Sequence, residues 1–230
     1  MGLGLLGLLN AARSASLPRR FEPTRLQDVR QTILWITGWA VPAGQLRRCA
    51  AEALPEFDHQ EIPAEPGSLA AALASTAGIL GGFSFGAHLL LHAEDPRRRF
   101  LLAPFADLKK EAGLGGAVAT TQLRQQLRWV KRDPDAALAD FRARIGAEPP
   151  ACDENHDRPS LLWGLEQMLA PGRAADTLPS GSLAIAGEHD PLLDTGLLAR
   201  GIPGLRVIDA GHQMHPLLAE LARLRQIDAS

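Results

Sequence analysis

Short apolar runs alternate with helical patterns along most of this chain. Gln31 to Thr37 (QTILWIT) is apolar, carries β-branched residues and stops at Gly38, which predicts a buried strand. Gln45 to Leu54 has helical character and ends at Pro55. Phe57 to Ile62 reads as a strand before the loop Pro63 to Gly67, and Ser68 to Ser75 as an Ala/Leu-rich helix. Ala77 to Phe83 (AGILGGF) predicts a second buried strand, Gly86 to Ala93 a helix, and Arg99 to Pro104 a further strand. From Ala106 to Leu178 the pattern changes: it contains no convincing strand, and Thr121 to Val130, Pro134 to Ile145 and Ser160 to Leu169 read as helices. Asp133 is a natural cap for the second of these, with Pro134 at the first helical position. Pro149 to Pro159 reads as a loop. Strand signals return at Ser182 to Ala186 and Leu205 to Ile208, and a last amphipathic helix covers Leu217 to Ile227.

Strands alternating with helices predict an α/β fold with a mostly parallel sheet flanked by helices. The helical stretch inside that alternation predicts an inserted lid over residues 106–178, between core segments 28–105 and 179–230. Residues 1–27 form an N-terminal extension in this reading. Its apolar start (MGLGLLGLLN) is too short to span a bilayer. It also lacks the basic segment that precedes the apolar run of a secretory signal, although Ala15 and Ser16 could mimic a cleavage site.

Composition narrows the function classes. With 230 residues, 46% hydrophobic and 22% charged, the chain can build one domain with a buried core, which excludes disorder for most of it. A net charge of −2 gives no global argument for nucleic acid or an anionic membrane as partner. Arginine outnumbers lysine 21 to 3, which reads first as coding bias. The two cysteines, Cys49 and Cys152, make neither a disulfide framework nor a zinc site, so a reduced, cytoplasmic protein is expected.

The strongest chemical signal is Gly82-Phe83-Ser84-Phe85-Gly86, which fits the G-x-S-x-G nucleophile elbow between an apolar run and a helical one. Such a turn holds its serine in a strained conformation, with the hydroxyl exposed at a helix start. A serine at its ordinary pKa needs an adjacent base. In this arrangement the partners follow in the order serine, acid, histidine. Asp190, in the loop after Ser182 to Ala186, is the expected acid, with Glu188 and Asp194 as weaker candidates. His212, in the loop after Leu205 to Ile208, is the expected base in preference to His215. The backbone N–H groups of Phe85 and Trp39 are the expected oxyanion donors, although Trp39 could instead pack the pocket wall. His189 reads as a solvated loop residue. His88 and His92 share a helix face without a third ligand, so packing is expected and no metal is assigned. His59 and His156 have no motif around them.

These residues together resemble the α/β-hydrolase superfamily. Within it, the chain resembles the pimeloyl-acyl-carrier-protein methyl ester esterases of biotin synthesis. The likeness runs through ILWITGW, GFSFGAHLL, LRQQL, FRARIGA and LLWGLEQMLAPGRAADTLPSGSLAIAGEHDPLL, roughly Gln31 to Glu220. Thr37 stands where that family has a histidine, the loop before the second helix is reduced to IPAEPGS, and the last motif is compressed to GHQMHP. The resemblance implies a serine carboxylester hydrolase without metal or organic cofactor. Its implied substrate is a small-molecule ester or one borne on an acyl-carrier protein. Apolar lid residues Leu161, Leu162, Trp163, Leu165 and Leu169 would either guide the acyl chain or pack the core of the lid. Arg124, Arg128, Arg132, Arg142 and Arg144 lie on the predicted lid helices, where they form either a carrier-protein patch or a solvated face. A thioesterase, a lactonase, a carbon–carbon bond hydrolase, an acyltransferase and a non-catalytic ligand binder share the same residues and stay open at this point.

Overall fold

Residues 30–147, 157–175 and 177–228 are described by a computed structural model. The N-terminal extension lies outside the described residues, as do Cys152, His156 and most of the expected loop between Pro149 and Pro159. The apolar runs form six strands: β1 (Thr32–Ile36), β2 (Asp58–Ile62), β3 (Ile79–Phe83), β4 (Arg98–Leu102), β5 (Leu183–Gly187) and β6 (Arg206–Ile208). They make one sheet in the order β2-β1-β3-β4-β5-β6, with every neighbouring pair parallel. β3 is buried at all five positions, as a central parallel strand covered on both faces requires.

The helices that join these strands are α1 (Gln45–Ala53), α2 (Ser68–Ala74) and α3 (Phe85–Leu91), then α4 (Thr120–Arg132), α5 (Pro134–Ile145) and α6 (Arg158–Leu169), and finally α7 (Thr195–Gly201) and α8 (Met214–Asp228). From β1 the chain steps one way to β2, then crosses back to β3 and continues toward β6. Right-handed crossovers therefore put α1 on one face of the sheet and α2, α3 and α7 on the other. α8 returns to pack on α1, β4 and β5, which closes the first face. The reversal leaves a crevice at the carboxyl ends of β1 and β3, the place where open α/β sheets bind ligands.

Between β4 and β5 the chain forms α4, α5 and α6, which pack mainly on one another. Among the described residues this stretch holds no strand, only single bridges between Lys109 and Val118 and between Gly116 and Leu193. The first folds the chain before α4 back on itself, and the second ties it to the loop after β5. Asp133 caps α5 through a bond from the Ala136 N–H, and Asp157 caps α6 through the Ser160 N–H.

Two helix details depart from the sequence reading. α8 begins at Met214 and not at Leu217, because Pro216 falls in its first turn, where a missing N–H costs nothing. α7 was not expected, since Gly196 and Gly201 lower its propensity. It forms because Asp194 caps it through the Leu197 N–H and Leu198 is fully buried. Among the described residues no helix is long and apolar enough to cross a membrane.

Candidate active site

β3 runs straight into α3 with only Ser84 between them, and the geometry forces Ser84 to φ 53°, ψ −114°. That conformation costs a non-glycine residue on the order of 1–3 kcal/mol. The flanking glycines make it possible by close approach. A Cβ on Gly86 would lie 2.1 Å from the Ile36 carbonyl oxygen, and one on Gly82 would lie 2.6 Å from the Ala87 nitrogen. Bonds from the Ser84 N–H to Leu102 O (2.8 Å) and from the His88 N–H to Ser84 O (2.9 Å) lock the turn between β4 and α3.

The loops after β5 and β6 bring Asp190 and His212 to this turn. Gly187 ends β5 where a Cβ would meet the carbonyl oxygens of Ala210 and Gly211, each at 2.3 Å. The two loops therefore lie one against the other. They are joined by bonds from the Glu188 N–H to Ile208 O and from the His189 N–H to Ala210 O. His212 Nδ1 lies 2.5 Å from Asp190 Oδ2, and His212 Nε2 lies 2.9 Å from Ser84 Oγ. The second oxygen of Asp190 accepts the Leu192 N–H at 2.9 Å, which fixes the carboxylate plane. Both Asp190 and His212 are buried, and the His212 ring packs 5.2 Å from that of Phe83.

Trp39 follows β1 in the crevice, and its ring is held from two sides. The indole N–H donates to Leu161 O of α6 at 2.8 Å, and the ring meets Phe141 of α5 edge-on. Phe85 opens α3, so its backbone N–H belongs to the first turn, which has no intrahelical acceptor. The Phe85 ring packs on Trp163 of α6. Thr37 is buried, and its hydroxyl accepts the Ala64 N–H at 3.1 Å, tying down the shortened loop before α2.

Two small cavities meet at Ser84. One, of about 70 Å³, is bordered by Phe83, His212, Gln213 and His215. The other, of about 30 Å³, is bordered by Phe105, Leu123, Gln126, Leu165, Met168 and Leu192. Trp39 and Phe141 border both. A groove of about 840 Å³ beside the loops after β1 and β2 is far more spacious than either, but none of Ser84, Asp190 and His212 borders it.

The other candidates fall elsewhere. Glu188 is exposed, and Asp194 is spent as the α7 cap. His189 pairs with exposed Asp209, and His215 meets Cys49 of α1 at 3.4 Å. His88 donates from Nδ1 to Phe105 O and stacks on that ring, and burial holds its pKa below the ordinary 6.5. His59 accepts from the Trp35 indole and bonds Leu54 O. Among the described residues no group of three His, Cys, Asp or Glu side chains could hold a metal ion. Of the five apolar α6 residues expected to guide an acyl chain, Leu165 alone borders a cavity at Ser84, the smaller one. Sequence reasoning missed Phe141, Gln126 and Gly187. Each lies in a stretch noted above (FRARIGA, LRQQL and the G-E-H-D run), but no local pattern set it apart there.

No protein-family model matches the chain, and no curated protein matches it. Solved structures do. The bottromycin epimerase in complex with bottromycin A2 is 18% identical, with a TM-score of 0.58, over 87% of this chain and 91% of that one. A type II thioesterase from the yersiniabactin biosynthetic pathway is 18% identical, with a TM-score of 0.54, over 86% and 91%. An N-acyl homoserine lactonase is 15% identical, with a TM-score of 0.55, over 87% and 90%. With the sheet order and the strand–serine–helix turn after β3, these likenesses establish that the chain has the α/β-hydrolase fold.

Proposed function

We propose that this protein is a serine hydrolase that cleaves carboxylic esters. The observation that carries the reading is the unbroken line of contacts from Ser84 Oγ to His212 Nε2 (2.9 Å) and from His212 Nδ1 to Asp190 Oδ2 (2.5 Å). The fold alone carries no such conclusion, since an epimerase is among the similar structures. Ser84 Oγ attacks the ester carbonyl while His212 Nε2 takes its proton. Asp190 holds the ring with Nδ1 protonated and stabilises the imidazolium. The N–H groups of Phe85 and Trp39 receive the developing oxyanion. His212 then protonates the departing alkoxide, and the acyl group stays on Ser84 Oγ. Water, deprotonated by His212, attacks that acyl group and releases the acid with Ser84 restored. The chemistry needs no metal or organic cofactor. Helices α4 to α6 cover the site as a lid, held to it through Trp39 and Phe85.

The finer substrate is a pimeloyl methyl ester on acyl-carrier protein. Besides the resemblance in sequence, the outer face of α4 supports it. Arg124, Arg128 and Arg132 repeat there at one-turn spacing, with Lys131 beside them, and all four are exposed. Such a stripe favours an acidic partner.

The first test is labelling with a fluorophosphonate probe. Wild type is labelled and Ser84→Ala is not, and retained ester turnover in Ser84→Ala would refute the nucleophile. The second test compares short aryl esters with the carrier-protein methyl ester. Equal, low turnover of both counts against the carrier-borne substrate.

A further inference from the structure

The two cavities at Ser84 are not equivalent once the chemistry is placed between them. This argument rests on the reading of Ser84 as an ester-cleaving nucleophile. A general acid has to reach the leaving oxygen, so the leaving group lies on the side of the site bordered by His212. His212 borders the cavity of about 70 Å³ and not the one of about 30 Å³. The walls agree with that division. Gln213 and His215 give the His212 side polar edges, as a departing alcohol requires. Phe105, Leu123, Leu165, Met168 and Leu192 make the other side apolar, as an acyl chain requires.

Three polar side chains of the apolar lobe, Gln122, Gln126 and Arg144, break this pattern, and of them only Gln126 is buried. Gln126, on α4, is only 6% exposed. Its amide is tied at both ends to α5: Nε2 donates to Ala137 O at 2.8 Å, and Oε1 accepts from Arg144 Nη2 at 2.8 Å. Arg144 is held in turn by Asp140 through a 2.8 Å ion pair. An aliphatic side chain can shift its rotamer to admit a longer guest. Gln126 cannot do so without breaking hydrogen bonds in a buried place.

We propose that the substrate's acyl group occupies the lobe between α4 and α6 and its leaving group the lobe beside His212, with Gln126 as the residue that sets acyl length. A chain that outgrows the lobe, including one tethered to a carrier protein, has to displace the Gln126–Arg144 pair. Gln126 is a specificity-determining residue and takes no part in the proton transfers.

The test measures kcat/KM for aryl esters from acetyl to decanoyl with one phenol, and for acetates of alcohols of increasing size. Wild-type turnover declines as the acyl chain outgrows the lobe. Gln126→Ala raises the octanoyl-to-butyryl ratio at least about tenfold, the size of effect that hydrophobic pockets show for one methylene. The ranking of alcohols is unmoved. Gln126→Met, similar in length but unable to bond Arg144, gives a smaller rise. Should Gln126→Ala fold poorly, Leu165→Phe narrows the same lobe and lowers butyryl against acetyl turnover. An unchanged acyl profile in these variants, or a change in alcohol ranking instead, overturns the assignment. Wild type that resists fluorophosphonate labelling refutes the Ser84 reading itself, whereas labelled protein with unmoved acyl preference refutes only the lobes.

Discussion

The indole N–H of Trp39 donates to the carbonyl of Leu161 at 2.8 Å, across 122 residues of chain. One side chain thereby joins the loop beside Ser84 to α6. The same ring meets Phe141 with centroids 4.8 Å apart, so α5 is held as well. The loop that carries the second proposed oxyanion donor is thus positioned by α5 and α6 and not by the sheet alone.

Trp39→Phe keeps most of the ring and removes the donor, leaving Leu161 O buried without that bond. The expected loss of stability is about 1–2 kcal/mol, measured by urea unfolding. Ester turnover should fall about tenfold, mainly in kcat, because the loop loses its tether next to the reacting carbonyl. A loss of stability with unchanged kcat would confine Trp39 to packing.

Asp190→Asn is nearly isosteric and tests orientation against mere burial. Asp190 now accepts from both His212 and the Leu192 N–H. An amide has one oxygen for these two donors. Its NH₂ group turned toward His212 would favour the tautomer with Nδ1 as acceptor, which puts the proton on Nε2 and leaves Ser84 without a base. The expected fall in kcat is on the order of 10⁴-fold, with fluorophosphonate labelling slowed in parallel.

Gly187→Ala attacks the site from behind. The new Cβ would fall 2.3 Å from two carbonyl oxygens of the loop that leads to His212, so that loop has to move. A displacement near 1 Å costs about 10²-fold in turnover. Steady-state kinetics should show that loss even where the thermal midpoint shows the folded protein surviving, and a variant with wild-type kcat would separate the two loops.

Acid stability has an identifiable contributor at Glu220. Its hydrogen bond with Arg223, and then its pairing with Arg206 on the edge strand β6, hold its carboxyl at about 2 against an ordinary 4.5. The native state therefore binds fewer protons than the unfolded chain between those values. The contribution is complete above about pH 4.5 and is lost as pH falls toward 2. Both arginines are half exposed, so its size is only about 1 kcal/mol. Glu220→Gln should lower stability by that amount at pH 6, and the gap from wild type should close on acidification. A gap that widens in acid would reverse the assignment.

The alternation of buried strands and helices, and the elbow around Ser84, were readable without coordinates because their causes are local. A strand buried on both faces is a short apolar run. A strand-to-helix turn of this sharpness requires small residues beside the serine. The order of Ser84, Asp190 and His212 along the chain was legible too, because each sits one loop beyond an apolar run. α7 was not legible, because its cap at Asp194 and the burial of Leu198 outweigh two glycines.

What the chain encodes by itself is therefore its elements and the chemistry at their ends. The packing of those elements decided the rest, since contacts between distant segments leave no periodicity to read. Which carboxylate meets His212 depends on two loops closing over Gly187. Which apolar residues face Ser84 depends on how α4, α5 and α6 lie on one another. That arrangement turns Leu165 and Gln126 toward Ser84 and leaves the arginines of α4 in solvent.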